Sequence, residues 1–170
     1  MRKQLLAGLL LPPLTEASPG PDEALLAELG QRLDLATRPR LGRSLSIRAV
    51  DAGSCNGCEL ELHALNNVFY DLERFGIRFV AAPRHADILL VTGVVTRNMR
   101  EALERTYDAV PAPKWVVAIG DCACSGGLFG ESYASLGQVE SVLPVDLHIK
   151  GCPPRPVALL QGLLALLEAR

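Results

Sequence analysis

Short apolar runs alternate with leucine-rich helical stripes along residues 44–170. The runs predict five strands, at Leu45–Val50, Ile77–Ala81, Ala86–Val91, Trp115–Ile119 and Val145–Ile149. The stripes predict three helices, at Glu59–Phe75, Thr96–Tyr107 and Pro156–Ala169. Strands that alternate with helices indicate an α/β fold with a mostly parallel sheet, and the continuous run at Ile88–Val91 suits a strand covered on both faces.

Residues 1–43 have a different pattern, rich in proline and glycine. A leucine stripe predicts one short helix over Asp22–Leu35. Two basic residues precede an apolar run at Leu5–Leu11, which resembles the start of a secretory signal but is cut short by Pro12. We therefore expect an apolar arm that lies on a partner or on a membrane surface. This part is interpreted as an N-terminal extension, and residues 44–170 as the domain.

The composition is that of a globular protein. The 170 residues include 17 basic and 19 acidic side chains, for a formal net charge of −2, and 49% are hydrophobic. That length suits one domain with a sizeable core, and no like-charge block indicates a nucleic-acid-binding surface. No apolar run approaches the roughly 18 residues that span a bilayer. The 5 cysteines are too few for a disulfide scaffold, and their odd number favours a metal site plus a spare thiol in a reducing compartment.

Three of the predicted strands end shortly before cysteines. The strand near Val50 leads to Cys55 and Cys58, the strand ending at Ile119 leads to Cys122, and the strand ending at Ile149 leads to Cys152. In open parallel sheets, ligands bind outside the carboxyl ends of the strands. The sequence therefore predicts that four thiols converge at one edge of the sheet.

Four converging thiols are a metal-binding donor set. Cys₄ sets ligate iron–sulfur clusters, and they also suit tetrahedral zinc. Structural zinc sites usually pair two short knuckles, whereas Cys122 and Cys152 arrive singly from separate loops. Glycines that let the backbone approach sulfur also favour a cluster; they are Gly53, Gly57, Gly120, Gly126, Gly127 and Gly151. A zinc-stabilised interaction domain is the alternative from another class, and a thiol–disulfide switch lacks a basic neighbour that would activate it.

Cys124 is a fifth thiol, two residues after Cys122. One interpretation makes it the ligand of this loop, and the other makes it a small buried residue in a glycine-rich turn. Spacing alone discriminates weakly between the two cysteines, although Cys122 follows the strand end more directly.

Three ordered motifs resemble one known family. They are SCNGCELE at residues 54–61, IGDCACSGG at 119–127, and the segment from Pro144 to GCPPRP at 151–156. Over Ser44–Arg170 the chain resembles the 20-kDa (B-type) subunit of complex I and the small subunits of membrane-bound [NiFe]-hydrogenases. The resemblance implies a flavodoxin-like fold, with helices on both faces of the sheet and one [4Fe–4S] cluster close to a large catalytic subunit. The ligands it implies are Cys55, Cys58, Cys122 and Cys152, because the family position at Cys124 is usually not a cysteine.

Two differences from other members of this family indicate which branch the chain resembles most. Complex I subunits typically have adjacent cysteines in the first motif, whereas Cys55 and Cys58 are separated by two residues, as in formate-hydrogenlyase-type hydrogenases. No cysteine follows Cys152, whereas uptake-type hydrogenase small subunits use further cysteines for further clusters. The resemblance therefore implies an electron-transfer subunit of an energy-converting hydrogenase complex, not catalytic alone. A complex I-type 20-kDa subunit that passes electrons to quinone is the alternative.

The same resemblance implies the surroundings of the subunit. The large subunit would carry the nickel–iron site or form the quinone chamber, and ferredoxin-like iron–sulfur subunits would supply electrons. Membrane subunits would hold the complex, so this chain is expected to be peripheral, on the cytoplasmic face of the inner membrane. Nucleic acid is not an expected partner.

Several polar residues near the motifs have two interpretations each. Glu59 and Glu61 follow Cys58 at a helix start, where they suit the helix dipole, or else one of them relays protons near the partner's active site, as hydrogenases use a glutamate in this area. Asp121 is either a hydrogen-bonding residue of the Cys122 loop or a simple turn residue. Arg155 either balances cluster charge or pairs with a partner. The three histidines are expected to be surface or packing residues; they are His63, His85 and His148.

Overall fold

Five parallel strands form one sheet in the computed structural model, which describes residues 23–169 apart from the side chains of residues 23 and 37–41. The strands are β1 (Leu45–Asp51), β2 (Ile77–Phe79), β3 (Ile88–Thr92), β4 (Trp115–Ile119) and β5 (Leu147–Ile149). Their order is β2-β1-β3-β4-β5, and every neighbouring pair is parallel. This is the flavodoxin-like order, in which the direction of winding reverses between β1 and β3. The predicted α/β fold is confirmed.

Helices cover both faces of the sheet. They are α1 (Glu23–Leu41), α2 (Gly57–Ala64), α3 (Arg97–Ala109), α4 (Gly120–Ser125) and α5 (Pro156–Glu168), with short 3₁₀ turns at Leu72–Phe75, Pro83–His85 and Val139–Ser141. Successive side chains of a strand point to opposite faces. Accordingly, Ile88 and Leu90 of β3 pack with leucines of α1, α2 and α5, whereas Leu89 and Val91 pack with Leu103 of α3.

The helix predicted over Glu59–Phe75 is wrong in its second half. Helix α2 ends at Ala64, and the chain then turns before the 3₁₀ turn at Leu72–Phe75. The side-chain oxygen of Asn67 accepts hydrogen bonds from the backbone N–H groups of Phe69 (2.9 Å) and Tyr70 (3.0 Å), which is a local turn that competes with helix. The apolar stripe is also not buried throughout, because Val68 is 99% exposed.

Helix α1 begins close to the predicted position and extends beyond the predicted end at Leu35. It packs on a neighbour as predicted: Leu29 and Leu33 are buried in the same core cluster as the leucines of α5. The apolar arm predicted at Leu5–Leu11 lies outside the described residues. The division of the chain at residue 43 stays a prediction.

The helix after β3 begins where the sequence predicts. Thr96 is the N-cap of α3, and its hydroxyl accepts a hydrogen bond from Met99 N (3.3 Å). The six-residue helix α4, by contrast, occupies the start of a segment that the sequence indicates only as a glycine-rich loop.

Within residues 23–169, no helix has both the length and the apolar character needed to cross a membrane.

Candidate metal centre

Four cysteines lie at the carboxyl edge of the sheet, as the strand ends predict. Cys55 is in the loop after β1, Cys58 in the first turn of α2, Cys122 in α4 directly after β4, and Cys152 in the loop after β5. Cys55 and Cys152 are exposed, and Cys58 and Cys122 are half-buried. The edge is therefore open to solvent, with two thiols at its surface and two behind them.

Glycines show how closely the three loops approach one another. A Cβ added to Gly120 would lie 2.5 Å from Cys58 Sγ and 3.5 Å from Gly151 O, so α4 meets α2 and the loop after β5 at this point. A Cβ added to Gly57 would lie 3.6 Å from Cys55 Sγ and 3.9 Å from the Pro153 side chain. The loops after β1, β4 and β5 therefore contact one another at glycine residues.

Another glycine packs directly against the sulfur of Cys122. A Cβ on Gly127, where φ is +52°, would lie 2.9 Å from Cys122 Sγ. Together with Gly120, this glycine forms a cradle of bare backbone against two cysteine sulfurs, where an added methyl group would overlap Sγ. Four thiols at one open edge are a donor set of the kind that binds iron–sulfur clusters or zinc. No three of the His, Cys, Asp and Glu side chains in the described part of the chain are grouped to hold a single metal ion.

The electrostatics of the edge oppose free thiolates. Burial raises the pKa of Cys58 to about 12, and the negative charges of Glu59, Cys122, Cys55 and Cys152 add to this rise. Burial also raises the pKa of Cys122, as do Cys152, Cys55 and Asp121. A thiolate is the form of cysteine that binds metal, and a bound cation would offset this mutual repulsion. In the absence of a bound cation, Cys58 and Cys122 therefore favour the protonated thiol form.

The β1 loop is organised by a residue that the sequence analysis missed. Asp51 Oδ1 accepts hydrogen bonds from the backbone N–H groups of Gly53 (2.8 Å) and Ser54 (2.7 Å), directly before Cys55. Asn56 has a φ of +71° and begins α2. A sequence signal for this role is present, because an aspartate at a strand end shortly before Gly-Ser is typical of an Asx turn.

The structure separates Cys124 from the four thiols at the edge. Its side chain is buried, and Sγ donates to Ala118 O (3.4 Å) and Ile149 O (3.7 Å), between β4 and β5. Burial raises its pKa to about 11, with a smaller contribution from Asp121 that Lys150 opposes. This geometry corresponds to the small buried residue of the two sequence interpretations.

The two glutamates after Cys58 have different surroundings. Glu59 Oε2 accepts from Ser54 Oγ (2.7 Å), whereas Glu59 Oε1 is buried without a hydrogen-bond partner among the described residues. Glu59 lines a cavity of about 310 Å³ between α2 and the β1–β2 edge, together with Arg48, whose Nε is also buried and unpartnered within residues 23–169. Glu61 does not line this cavity.

The remaining residues singled out from the sequence lie mostly at the surface. His63 and His85 are exposed, and half-buried His148 has Nε2 3.9 Å from Glu140 Oε2. Arg155 is exposed at the start of α5. Asp121 accepts a hydrogen bond from Gly151 N (2.9 Å), so it is more than a turn residue.

An exposed apolar segment follows Cys122. In this segment, called here the apolar loop (residues 128–133), Leu128 is 95% exposed, Phe129 59% and Tyr133 94%. Phe129 also lines a groove beside Cys55, together with Val94. Several exposed large apolar side chains in one short segment are typical of an interaction site.

Comparison with known proteins identifies the family. The family model for the NADH ubiquinone oxidoreductase 20-kDa subunit matches residues 55–166, which contain all five cysteines. The chain belongs to this family. Members of the 20-kDa subunit family similar to this chain include a probable membrane-bound hydrogenase subunit of Pyrococcus furiosus, 47% identical over 75% of this chain and 77% of its own length. Formate hydrogenlyase subunit 7 of Escherichia coli is 46% identical over 77% of this chain.

The 20-kDa family relatives come from several kinds of oxidoreductase. A B-type subunit of the NADH-quinone oxidoreductase of Citrifermentans bemidjiense is 50% identical over 64% of this chain and 64% of its own length. The chain spans about half (52%) of the E. coli formate hydrogenlyase subunit. A chain in the structure of the membrane-bound sulfane sulfur reductase, an archaeal respiratory membrane complex, has a TM-score of 0.66 and 38% identity, over 79% of this chain and 72% of that one. The predicted family and its membership of oxidoreductase complexes are confirmed.

Proposed function

We propose that the chain holds one [4Fe–4S] cluster on Cys55, Cys58, Cys122 and Cys152 and serves one-electron transfer in a membrane-associated oxidoreductase complex. The observation that carries this proposal is the convergence of four thiols from three strand ends around glycine backbone. When bound, the cluster supplies one-electron redox chemistry over a wide range of potentials. The chain itself supplies the thiolates, the shape of the cradle and the charges around it.

The proposed complex is of the membrane-bound hydrogenase or formate-hydrogenlyase type. Two residues separate Cys55 from Cys58, the spacing that resembles the hydrogenase branch. Relatives at 47% and 46% identity are named as subunits of such enzymes. The alternative is a complex I-type 20-kDa subunit next to quinone, which a relative at 50% identity supports. In either case the partners are a large catalytic subunit, a ferredoxin-like iron–sulfur subunit and membrane subunits, with this chain peripheral on the cytoplasmic face.

The apolar loop supports a partner next to the cluster. It follows Cys122 along the chain, and its Phe129 lines the groove beside Cys55. A large subunit docked there would cover exposed Leu128 and Tyr133 and would shield the open edge from water. Exclusion of water and proximity both favour electron transfer between centres.

Glu59, and not Glu61, is the proposed proton-relay carboxylate. It is hydrogen-bonded to Ser54 of the Cys55 loop, and its second oxygen has no hydrogen-bond partner within the described part of the chain. A carboxylate held in this way keeps one oxygen available for a proton. Glu59 also suits the helix dipole, since it lies in the first turn of α2, whereas Glu61 lies beyond that turn.

The first experiment is anaerobic purification of the full chain with iron, sulfide and zinc analysis, followed by EPR of the dithionite-reduced sample. About four irons and four sulfides per chain, with a cluster signal, are expected from a Cys₄ site. Stoichiometric zinc without iron, even after reconstitution, would contradict the proposal. The protein would then be a zinc-stabilised interaction domain.

A further inference from the structure

An aspartate joins strands β4 and β5 at each of their two ends. In both places the aspartate forms one hydrogen bond through its backbone N–H and a second through its side-chain carboxylate. At the amino end, Asp146 N donates to Val116 O (2.9 Å) and Asp146 Oδ2 accepts from Val116 N (2.7 Å). At the carboxyl end, Asp121 N donates to Gly151 O (2.9 Å) and Asp121 Oδ1 accepts from Gly151 N (2.9 Å). In each pair a side-chain carboxylate replaces the backbone carbonyl that a longer strand ladder would supply.

The pair at the carboxyl end lies between two proposed ligands. Asp121 directly precedes Cys122, and Gly151 directly precedes Cys152. The register of β4 and β5 ends with Ile119 opposite Ile149. The Asp121–Gly151 hydrogen bonds therefore join the two segments two residues beyond the end of the strands. They lie directly before the two cysteines.

Gly151 packs closely against Pro154, so a larger residue does not fit at this position. Gly151 has a φ of +140°, and an added Cβ would lie 2.6 Å from Pro154 Cα. Its N–H is directed at a carboxylate, and hydrogen bonds to ionised acceptors are about twice as strong as neutral ones. The Asp121 carboxylate therefore accepts one of the two hydrogen bonds that join the Cys122 loop to the Cys152 loop, and the backbone supplies the other.

The carboxylate also carries charge at this edge. Asp121 directly precedes Cys122, and its Oδ1 lies 2.9 Å from the backbone nitrogen of Gly151, which directly precedes Cys152. Glu59 adds to the negative charge beside Cys58, and Lys150 opposes Asp121 at Cys124. A fixed negative charge disfavours the arrival of an electron in the same way that it disfavours a thiolate.

We propose that Asp121 is a positioning residue of the cluster site, whose carboxylate ties the Cys122 loop to the Cys152 loop through Gly151 and whose charge lowers the reduction potential. This inference rests on the proposed function. The two effects are separable, because the hydrogen bond requires only an acceptor oxygen, whereas the potential depends on the charge.

The test compares Asp121→Asn and Asp121→Ala in the full chain, prepared anaerobically. Asp121→Asn keeps an acceptor oxygen and loses the charge, so iron and sulfide should stay at the wild-type level while the midpoint potential rises. The expected rise is about tenfold in the equilibrium constant for reduction, or ~59 mV for a one-electron couple. Asp121→Ala loses the hydrogen bond as well, and should release iron to a chelator about fivefold to tenfold faster than Asp121→Asn, because one further hydrogen bond is lost.

Asp146 provides the matched control, because it makes the same pair of bonds between the same strands at the end remote from the cysteines. Asp146→Asn and Asp146→Ala should leave the potential and the rate of iron release unchanged. A wild-type potential in Asp121→Asn would overturn the charge effect, and wild-type iron release in Asp121→Ala would overturn the positioning role. If Asp121→Ala does not accumulate, Asp121→Asn still decides the first point. Wild-type chain without iron and sulfide would instead contradict the proposed function itself.

Discussion

Two cysteines in one short helix have opposite surroundings. Cys122 is half-buried at the open edge and interacts electrostatically with Cys55 and Cys152, whereas Cys124 is buried between β4 and β5. A buried thiol that donates to two backbone carbonyls is inert, whereas a thiol at an accessible edge can bind metal. A separation of two positions within one helix therefore divides a proposed ligand from a packing residue.

This difference gives the first prediction. Cys122→Ala should abolish stoichiometric iron and sulfide, because one of four ligands is lost. Cys124→Ala should keep both at wild-type level and lower the free energy of unfolding by about 1 kcal/mol, the net value of an ordinary hydrogen bond. Metal analysis and urea denaturation of the two variants measure these outcomes. Loss of iron in Cys124→Ala at unchanged stability would show that the ligand assignment in this loop is reversed.

Glu59 is the second residue whose surroundings lead to a prediction. In the assembled complex, Glu59→Gln should lower turnover by about a hundredfold, the typical contribution of a positioned acid–base group, while the EPR signal of the cluster is retained. Glu61→Gln is the matched control, since it makes the same change two residues away in the same helix, outside the cavity. Full turnover in both variants, with an intact cluster, would rule out a proton relay at this helix.

At the scale of elements, the start of α4 depends on a glycine. Gly120 has a φ of +86°, and an added Cβ would lie 2.5 Å from Cys58 Sγ. The first feature disfavours any other residue by about 1–2 kcal/mol, and the second displaces a proposed ligand. The helix that carries Cys122 can approach the helix that carries Cys58 only because this side chain is absent.

We expect Gly120→Ala to reduce iron and sulfide per chain to less than about half, because of both the strain and the contact with Cys58. Gly42→Ala is the control for strain alone: its φ is +63°, and nothing lies within 4 Å of an added Cβ. That variant should be less stable but should retain its metal. Metal content is measured after anaerobic reconstitution of both. Equal content in the two variants would contradict the view that the cradle must stay free of side chains.

The sequence was sufficient for the order and type of most elements, because their signals are local. The strand at Trp115–Ile119 and the cap at Thr96 follow from an apolar run and from a hydroxyl ahead of a helical stripe. The convergence of the four cysteines follows from a general property of parallel sheets.

What could not be predicted depends on contacts between distant residues or on competition between signals. Helix α4 has only six residues and begins with glycine, so its conformation depends on neighbours such as Gly151, which accepts from Asp121 N. The early end of α2 reflects a turn at Asn67 that overrides an apolar stripe continuing to Leu72. The aspartate pairs at β4 and β5 involve residues 30 positions apart, which no local pattern indicates.

At the scale of the whole molecule, the proposed ligands all lie at the carboxyl end of the sheet. The loops after β1, β4 and β5 carry the proposed ligands, and the apolar loop follows one of them. The turn after α2, with the fully exposed Val68, instead leads to the amino end of β2. Two exposed apolar surfaces thus differ in position, and only the first lies beside the thiols.

This contrast predicts which surface the proposed large subunit would cover. The double variant Leu128→Ser and Tyr133→Ser should weaken retention of the large subunit at least about tenfold, because burial of each apolar side chain contributes on the order of 1.5 kcal/mol or more. The measurement is the amount of large subunit recovered with tagged full chain, quantified by mass spectrometry, with iron content as the check on folding. Val68→Ser removes an equally exposed side chain at the other end and should retain its partner fully. Should Val68→Ser lose the large subunit while the double variant keeps it, the complex would have to assemble on the opposite end of the sheet, and the open cysteine edge would need another cover.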